Sequence, residues 1–333
     1  MPAVSKEVAG ASAAQDALVD ELRPAFFPYA SERLARFRAG AGRFVHYTTA
    51  ETAVSILQNR EVWLRKSSLM NDFSEVQYGL AQLRSAVSSQ LGERLQHLLD
   101  DLRPGASTQF IDHFFGARNV FVTDTYLMCV SEHTRADDDV GRLSMWRAYG
   151  GKTGVALVFR MRALLSPSDA LHVYSSPVLY ADERKFMSEF ERVVSGLEKQ
   201  ISSLRQLGSY QVERLLFNVF RYAALCTKHP GFHEEKEWRI MHSPLIEYSP
   251  RIKTDIHTVR GVPQFICKVP LEDVPEQGLT GINPAELVDR IIIGPTETPG
   301  PVAEVFQTIL YRAGVKHPEA RVKVSDIPLR DVR

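Results

Sequence analysis

Residues 43–75 read RFVHYTTAETAVSILQNREVWLRKSSLMNDFSE, a compact strand–helix–strand pattern with a polar cluster at each end. Phe44–Tyr47 predicts a short strand, and the next strand begins at Val62. The spacing of Thr48-x-x-Glu51 is that of a capping box, which predicts a helix that starts at Thr48 and ends near Asn59. His46 is therefore expected beside a helix N-terminus, where backbone amides favour anions such as phosphate. The helix should bury one apolar stripe, made of Ala53, Ile56 and Leu57.

The composition is that of a soluble globular protein. Of the 333 residues, 44% are hydrophobic and 24% are charged, which is enough apolar material for a large core. Lysine plus arginine equals aspartate plus glutamate at 40 each, so no net charge attracts the chain to nucleic acid or to a membrane. Three cysteines in apolar runs, no signal-peptide pattern and no long apolar stretch predict a cytoplasmic protein without a membrane partner. The absence of CxxC and HExxH motifs argues against a structural zinc site.

Predicted strands are spread along the whole sequence and are separated by helical spacers of unequal length. This arrangement favours the α+β class, with central mixed or antiparallel β-sheets and packed helices. Residues 1–40 are expected to form an N-terminal extension, with a frayed lead over 1–18 followed by an accessory helix. Residues 41–333 are expected to form a single α+β domain. A helical hairpin is predicted as an insertion at about 181–228.

The segment Glu235–Ile240 predicts a late strand with an unusual charged face. Side chains alternate along a strand, so Glu235, Glu237 and Arg239 should share one face while Trp238 enters the core. Two neighbouring carboxylates would push one pKa upward. An exposed face neutralised by Arg239 explains the same pattern as well as a functional site does.

Several other polar or aromatic residues also have a purely structural interpretation. His46 taken alone is typical of a hydrogen-bonded core histidine, and Asp72-x-x-Glu75 is a common way to begin a helix. Trp146 and Tyr149 at helical spacing are typical of a core. These interpretations and the functional ones remain open at the level of the sequence.

Taken together, the motifs resemble an uncharacterised bacterial family called domain of unknown function 2971. The resemblance spans about residues 44–295, and the N-terminal extension lies outside it. It is carried by blocks in a fixed order, which are His46-Tyr47-Thr48, the Leu57 helix, Trp63-Leu64, Leu69-Met70-Asn71-Asp72-x-x-Glu75, Cys129-Val130-Ser131-Glu132, Trp146-x-x-Tyr149-Gly150 and Glu235-x-Glu237-Trp238-Arg239.

The layout is also similar to the ADP-ribosyltransferase fold, and that resemblance implies roles for individual residues. His46, with Tyr47 and Thr48, would hold NAD, and Tyr149 or Trp146 would stack on nicotinamide. Glu237 would bind the ribose hydroxyl and stabilise positive charge in the transition state. Glu235 would orient or deprotonate an acceptor. The pyrophosphate would be paired by arginines, for which the candidates are Arg43, Arg65 and Arg239. A further polar group comprises Asn71, Asp72 and Glu75.

The expected function is that of an NAD-using ADP-ribosyltransferase or an enzyme like an NAD glycohydrolase. NAD would be the substrate, and no metal is expected. Such activities suit toxins and antiphage defence, with an unknown protein or nucleic-acid acceptor and an antitoxin or defence partner.

Two alternative functions remain open. The first is a metal-dependent nuclease of DNA or RNA, based on Glu234-x-Lys236, with a further carboxylate from Asp72, Glu75 or Asp124 for magnesium. The second is a non-catalytic module that senses a nucleotide through His46 and the arginines.

Overall fold

A computed structural model describes residues 3–40, 42–69, 73–118, 123–160, 170–259 and 261–328. The chain divides into two compact units, each built from three separate segments. The first unit comprises residues 1–36, 71–123 and 177–233, and the second comprises residues 37–70, 124–176 and 234–333. Residues 71–123 thus group with the N-terminal helices, and whether 41–333 fold as one domain stays a prediction.

A large β-sheet forms the centre of the second unit. Its strands are β1 (Arg43–Thr49), β2 (Glu61–Lys66), β3 (Tyr126–His133), β4 (Gly154–Arg160), β5 (Tyr174–Pro177), β8 (Glu237–His242), β9 (Lys253–Val259), β10 (Val262–Pro270), β11 (Val288–Ile293) and β12 (Val322–Val324). The order is β12-β11-β4-β1-β3-β2-β10-β9, and β8 pairs with β3 and β5. β11 and β12 pair in parallel. All other neighbouring strands in this order pair antiparallel, and so do β3 and β8. The α+β class with a mixed, mostly antiparallel sheet is confirmed.

Helices of the second unit connect and cover these strands. They are α3 (Ala50–Asn59), α7 (Leu143–Tyr149), α11 (Pro284–Leu287), α12 (Pro299–Arg312) and α13 (Pro318–Arg321). The predicted stripe of α3 is buried. Its start differs from the prediction by one residue, because Thr49, not Thr48, is the N-cap. The helix ends at Asn59 as predicted, and Arg60 after it has the left-handed conformation at φ 52°. Thr48 completes β1 instead, because the strand pairing with β4 continues through Thr49.

The sheet forks along β3. Residues 126 and 127 of β3 pair with β2, whereas residues 131–133 pair with β1. β8 pairs with residues 126–131 of the same strand, so β1 and β2 must both lie on the other edge of β3. Cys129 lies between the two branches on that edge. His46, the first residue of β1 beyond the β3 pairing, follows directly after the fork.

The late strand starts two residues later than predicted. Residues 230–235 form a 3-10 helix, and β8 begins only at Glu237. Lys236, between them, has a left-handed backbone at φ 46°. The prediction of one strand face shared by Glu235, Glu237 and Arg239 is therefore wrong for Glu235. The strand pattern Glu234-x-Lys236, on which the nuclease alternative depends, is also not formed.

The first unit is mainly helical. Its helices are α1 (Ala3–Phe26), α2 (Pro28–Ala39, which ends in the second unit), α4 (Phe73–Val87), α5 (Gln90–Leu102), α6 (Ala106–Gly116), α8 (Glu183–Lys199), α9 (Ile201–Leu207) and α10 (Ser209–Leu225). A short parallel ladder joins β6 (Leu179–Tyr180) to β7 (Thr227–Lys228). The frayed lead is a wrong prediction, since α1 already starts at Ala3, where the alanine-rich composition favours helix.

The predicted helical hairpin is a set of three helices. The helical segment is interrupted at Gln200, between α8 and α9. Gly208, between α9 and α10, has φ 87°, a conformation that glycine adopts without strain. The apolar stripe of α8 is buried at Phe186, Phe190, Val193 and Leu197. No helix in the described ranges has the length and apolarity needed to cross a membrane.

A buried ion pair lies within this helical unit. Lys228 Nζ is 3.0 Å from Glu75 Oε1, and the two side chains are 1% and 8% exposed. Lys228 also lies 5.4 Å from the ring centroid of Phe232. Two opposite charges removed from water in this way stabilise each other only as a pair.

Candidate functional site

The strand register decides which of the predicted site residues can meet. Val45 pairs with Ser131, and Ser131 pairs with Glu237, so these three side chains lie on one face of the sheet. Arg239, two residues further along β8, shares this face. Arg65 pairs with Leu127, which pairs with Met241, and it therefore lies on this face as well.

Glu237 and Arg239 form a buried ion pair on this face. Arg239 Nε donates a hydrogen bond of 2.8 Å to Glu237 Oε1. The residues are 5% and 2% exposed, which is unusual for charged side chains. Arg239 supplies the opposite charge that a buried carboxylate requires, and it also fixes one oxygen of Glu237 in direction.

Glu235 is placed next to Tyr149 instead of along the strand. The hydroxyl of Tyr149, at the end of α7, donates to Glu235 Oε1 at 3.5 Å. Both residues are partly buried. Tyr149 packs against the core on the Tyr47 side of the sheet, which is the face of Glu237. The group of Arg65, Tyr149, Glu235, Glu237 and Arg239 is called the Glu237 site below.

Arg142 holds the chain around this site, and the sequence reasoning missed it. Its guanidinium donates to the carbonyls of Glu132 at 2.9 Å and of Glu234 at 2.8 Å. Its backbone N–H donates to the Tyr47 hydroxyl at 2.9 Å. Arg142 thereby ties the segment before β8 to the end of β3. No side-chain pattern in the sequence reveals these contacts, because the acceptors are main-chain oxygens, 10 and 92 residues away in the chain.

His46 lies on the opposite face of the sheet. It is the next residue after Val45 in β1, and its side chain therefore points away from Glu237. A carbonyl can only accept, so His46 Nδ1 donates to the carbonyl of Cys129 at 3.0 Å. This hydrogen bond satisfies a carbonyl at the fork, where β3 pairs with neither β1 nor β2. Burial lowers the pKa of His46, although this hydrogen bond opposes the shift. The structure does not bring His46 and Glu237 together, and a neutral imidazole is a poor phosphate ligand.

Two predicted aromatic residues are core residues. Trp146 is 2% exposed, and its Nε1 donates to the carbonyl of Val140 at 2.9 Å. Its ring meets the Tyr47 ring edge-on at 4.8 Å. Burial raises the pKa of the Tyr47 hydroxyl, against the opposing effect of Arg142. Of the two rings considered for nicotinamide stacking, only Tyr149 is partly exposed.

The three predicted arginines have different partners. Arg43 bridges Asp138 at 2.7 Å and Asp289 at 2.9 Å. Burial alone would lower the pKa of Arg43, but hydrogen bonds and charges from the two aspartates outweigh it and raise the pKa. Arg65 donates to Gln264 and to the carbonyl of Leu69, both at 3.0 Å, and stays partly exposed. Arg65 is therefore the predicted arginine on the Glu237 face that is open to solvent.

The remaining predicted site residues lie elsewhere. Thr48 is a partly buried residue of β1 on the His46 side. Glu75 belongs to the first unit, where it pairs with Lys228. Asn71 and Asp72 lie outside the described residues.

The fold and this site define an α+β protein with a forked sheet and an acidic group at the start of a late strand. A family model described as "Protein of unknown function (DUF2971)" matches residues 145–240, a segment that runs from α7 to β8. The match supports the predicted resemblance to this family over these residues. No curated protein and no solved structure matches the chain.

Proposed function

We propose that this protein cleaves the bond between nicotinamide and ribose in NAD or a related nucleotide, as an ADP-ribosyltransferase or an NAD glycohydrolase. One observation carries the proposal. Arg65, Glu237 and Arg239 share a sheet face, and Glu237 is buried with one oxygen held by Arg239. A fixed carboxylate next to cations is suited to a ribose that develops positive charge between phosphate and nicotinamide.

In the proposed reaction, Glu237 accepts a hydrogen bond from a ribose hydroxyl. The bond between the ribose C1′ and the nicotinamide nitrogen breaks, and nicotinamide leaves as a neutral molecule with the electron pair. The carboxylate stabilises the resulting oxocarbenium-like ribose. Water or an acceptor nucleophile then adds to C1′ and releases one proton. Glu235, held by Tyr149, takes that proton or orients the nucleophile.

Other residues of the site have binding roles in this proposal. Arg65 pairs the pyrophosphate, because it lies on the Glu237 face and reaches solvent. Tyr149 supplies the ring beside nicotinamide. His46 has no role at the Glu237 site, since it supports the sheet from the opposite face. Arg142 positions Glu235 through the carbonyl of Glu234.

The test is nicotinamide release from NAD, measured by chromatography with and without mixed protein and nucleic-acid acceptors. Glu237→Gln should reduce the rate by about 100-fold or more, the usual loss when a preorganised electrostatic contact is removed. Arg65→Met should raise KM more than it lowers kcat. The matched control is Glu234→Gln, which changes an exposed carboxylate three residues away and should leave the rate unchanged. Circular dichroism verifies that each variant is folded.

Three outcomes would contradict the proposal. Full activity of folded Glu237→Gln would remove the carboxylate from the mechanism. Magnesium-dependent cleavage of DNA or RNA without NAD turnover would favour the nuclease. Binding of a nucleotide with no turnover, even with acceptors present, would favour a sensing module.

A further inference from the structure

The last strand in the sheet order, β9, has an open outer edge. It pairs with β10 on one side, and no strand of the described chain pairs with its other side. Five of its seven residues are exposed, and the other two are partly buried. An uncovered strand edge of this length is a template for pairing with another strand.

The sequence of β9 is chemically self-complementary. It reads Lys253-Thr-Asp-Ile-His-Thr-Val259, and a second copy paired antiparallel about Ile256 would face it residue by residue. Ile256 would then meet its own copy, and Asp255 would meet His257 of the second copy in two equivalent places. Thr254 would meet Thr258. Apolar, charged and hydroxyl pairs of this kind are the ones that stabilise neighbouring strands.

Exposed apolar side chains continue across the same edge. Ile256 is 63% exposed, and its cross-strand neighbour on β10, Phe265, is 49% exposed. In an antiparallel pair of β9 strands, the two Ile256 side chains would lie between the two Phe265 rings. A continuous apolar stripe would result, which the single chain leaves in water.

Local charges compete with this pairing. Asp255 Oδ2 lies 2.8 Å from Lys268 Nζ and 3.0 Å from His257 Nε2, and Asp255 Oδ1 accepts the N–H of Ile256 at 2.8 Å. Lys253 lies on the same face of β9 as Asp255, and Lys268 Nζ is also 3.8 Å from Glu61 Oε1 of β2. The Asp255 side chain therefore occupies the strand edge in the single chain, and strand pairing must be more favourable in free energy than the Asp255 contacts that it replaces. We therefore expect a weak association that depends on protein concentration.

We propose that β9 is a dimerisation edge whose partner is a second copy of this chain, paired antiparallel about Ile256. The closed two-fold arrangement uses the same residues on both copies and ends at one partner, so it forms dimers and not fibres. The proposal is independent of the enzymatic one, because it uses none of the residues of the Glu237 site.

The first test is sedimentation velocity of the full chain from about 1 to about 100 µM, a range that covers the affinities of small interfaces. The unmodified chain should shift from monomer to dimer over this range. Ile256→Lys should remain monomeric, because two ammonium groups would meet at the two-fold axis. The matched control is Tyr311→Lys, which adds the same charge at a residue 70% exposed on α12 and should dimerise like the unmodified chain.

A charge exchange tests the register itself. Asp255→Lys alone places Lys against His257 of its copy, and His257→Glu alone places Glu against Asp255, so each should remain monomeric. Mixed together, the two variants present Lys opposite Glu and Asp opposite His, and they should form a heterodimer. A monomeric unmodified chain at every concentration, dimers of Ile256→Lys, or no heterodimer in the mixture would overturn the proposal.

Discussion

His46 illustrates how one residue can be needed for the fold at a point that resembles a site. Its Nδ1–H satisfies the carbonyl of Cys129, which lies where β1 and β2 separate along β3. A buried carbonyl without a donor would cost about 1–3 kcal/mol. This role explains why a polar residue lies among apolar strand neighbours.

Two buried histidines, His133 and His242, and the half-buried His46 predict a loss of stability in mild acid. Burial is the main cause that lowers the pKa of His46, His133 and His242 in the folded chain. The unfolded chain then binds more protons below about pH 6.5, so the free energy of unfolding should decrease as the pH falls from 7 to 5. Each group can contribute up to about 1.4 kcal/mol per pH unit, measured by urea unfolding at several pH values.

His46→Gln separates this histidine from the other two. The glutamine amide can still donate to the Cys129 carbonyl but does not titrate, so the pH dependence should become shallower. His317→Gln, at a side chain 81% exposed, is the control and should leave the slope as it is. An unchanged slope for His46→Gln would contradict the shifted pKa. Aspartates such as Asp289, whose pKa is lowered by hydrogen bonds to Arg43 and Arg160 although burial opposes this, act only at lower pH.

At the level of elements, α7 is fixed to the sheet because the Trp146 ring packs closely against Gly154 and Gly294. An added Cβ at Gly294 would lie 2.9 Å from Trp146 Cε3 and 3.2 Å from the carbonyl oxygen of Gly154. An added Cβ at Gly154 would also crowd this ring at 3.1 Å. The ring thus requires glycines at the start of β4 and directly after β11. Tyr149 lies on the same short helix, so the packing of Trp146 also determines the position of Tyr149 beside Glu235.

Gly294→Ala should destabilise the protein by about 1–3 kcal/mol, because the extra methyl group overpacks the Trp146 ring. Gly300→Ala is the matched control. An added Cβ there meets nothing within 4 Å, and its helical position favours alanine, so this variant should be neutral or slightly stabilising. Urea unfolding of both variants checks the difference, and equal stabilities would contradict the close packing.

Elements with a clear period could be predicted, whereas their connections could not. The apolar stripes of α3 and α8 follow from spacing alone, because apolar residues repeated at the helical period lie on one helix face and are buried together. The start of β8 was missed because Lys236 has a left-handed backbone, which glycine or asparagine would have indicated and lysine does not. The opposite faces of His46 and Glu237 depend on the register of both strands with β3, a long-range property that neither strand contains.

At the scale of the whole molecule, the buried pair of Lys228 and Glu75 should give non-additive changes in the free energy of unfolding when its two charges are removed. Lys228→Met leaves the Glu75 carboxylate buried without its lysine, and Glu75→Leu does the reverse to the lysine. Each single change should cost about 3–5 kcal/mol. The double variant replaces both charges by apolar groups and should be closer to the original stability than either single variant.

A double-mutant cycle by urea unfolding measures this coupling. Glu198→Leu, which removes a 38% exposed partner of Arg94 in the same unit, is a control with a small expected effect, since exposed ion pairs contribute little. Strict additivity of the two changes at Glu75 and Lys228 would show that the lysine does not stabilise the glutamate.

The division of the chain into six alternating segments has a consequence for its synthesis. A ribosome that has made residues 1–176 has delivered two of the three pieces of each unit and the complete set of neither. The helical unit becomes complete at residue 233, and the sheet waits for its third piece, which includes β8 to β12. Nascent chains of intermediate length are therefore expected to expose apolar surfaces, and the chain is a poor candidate for division into working fragments.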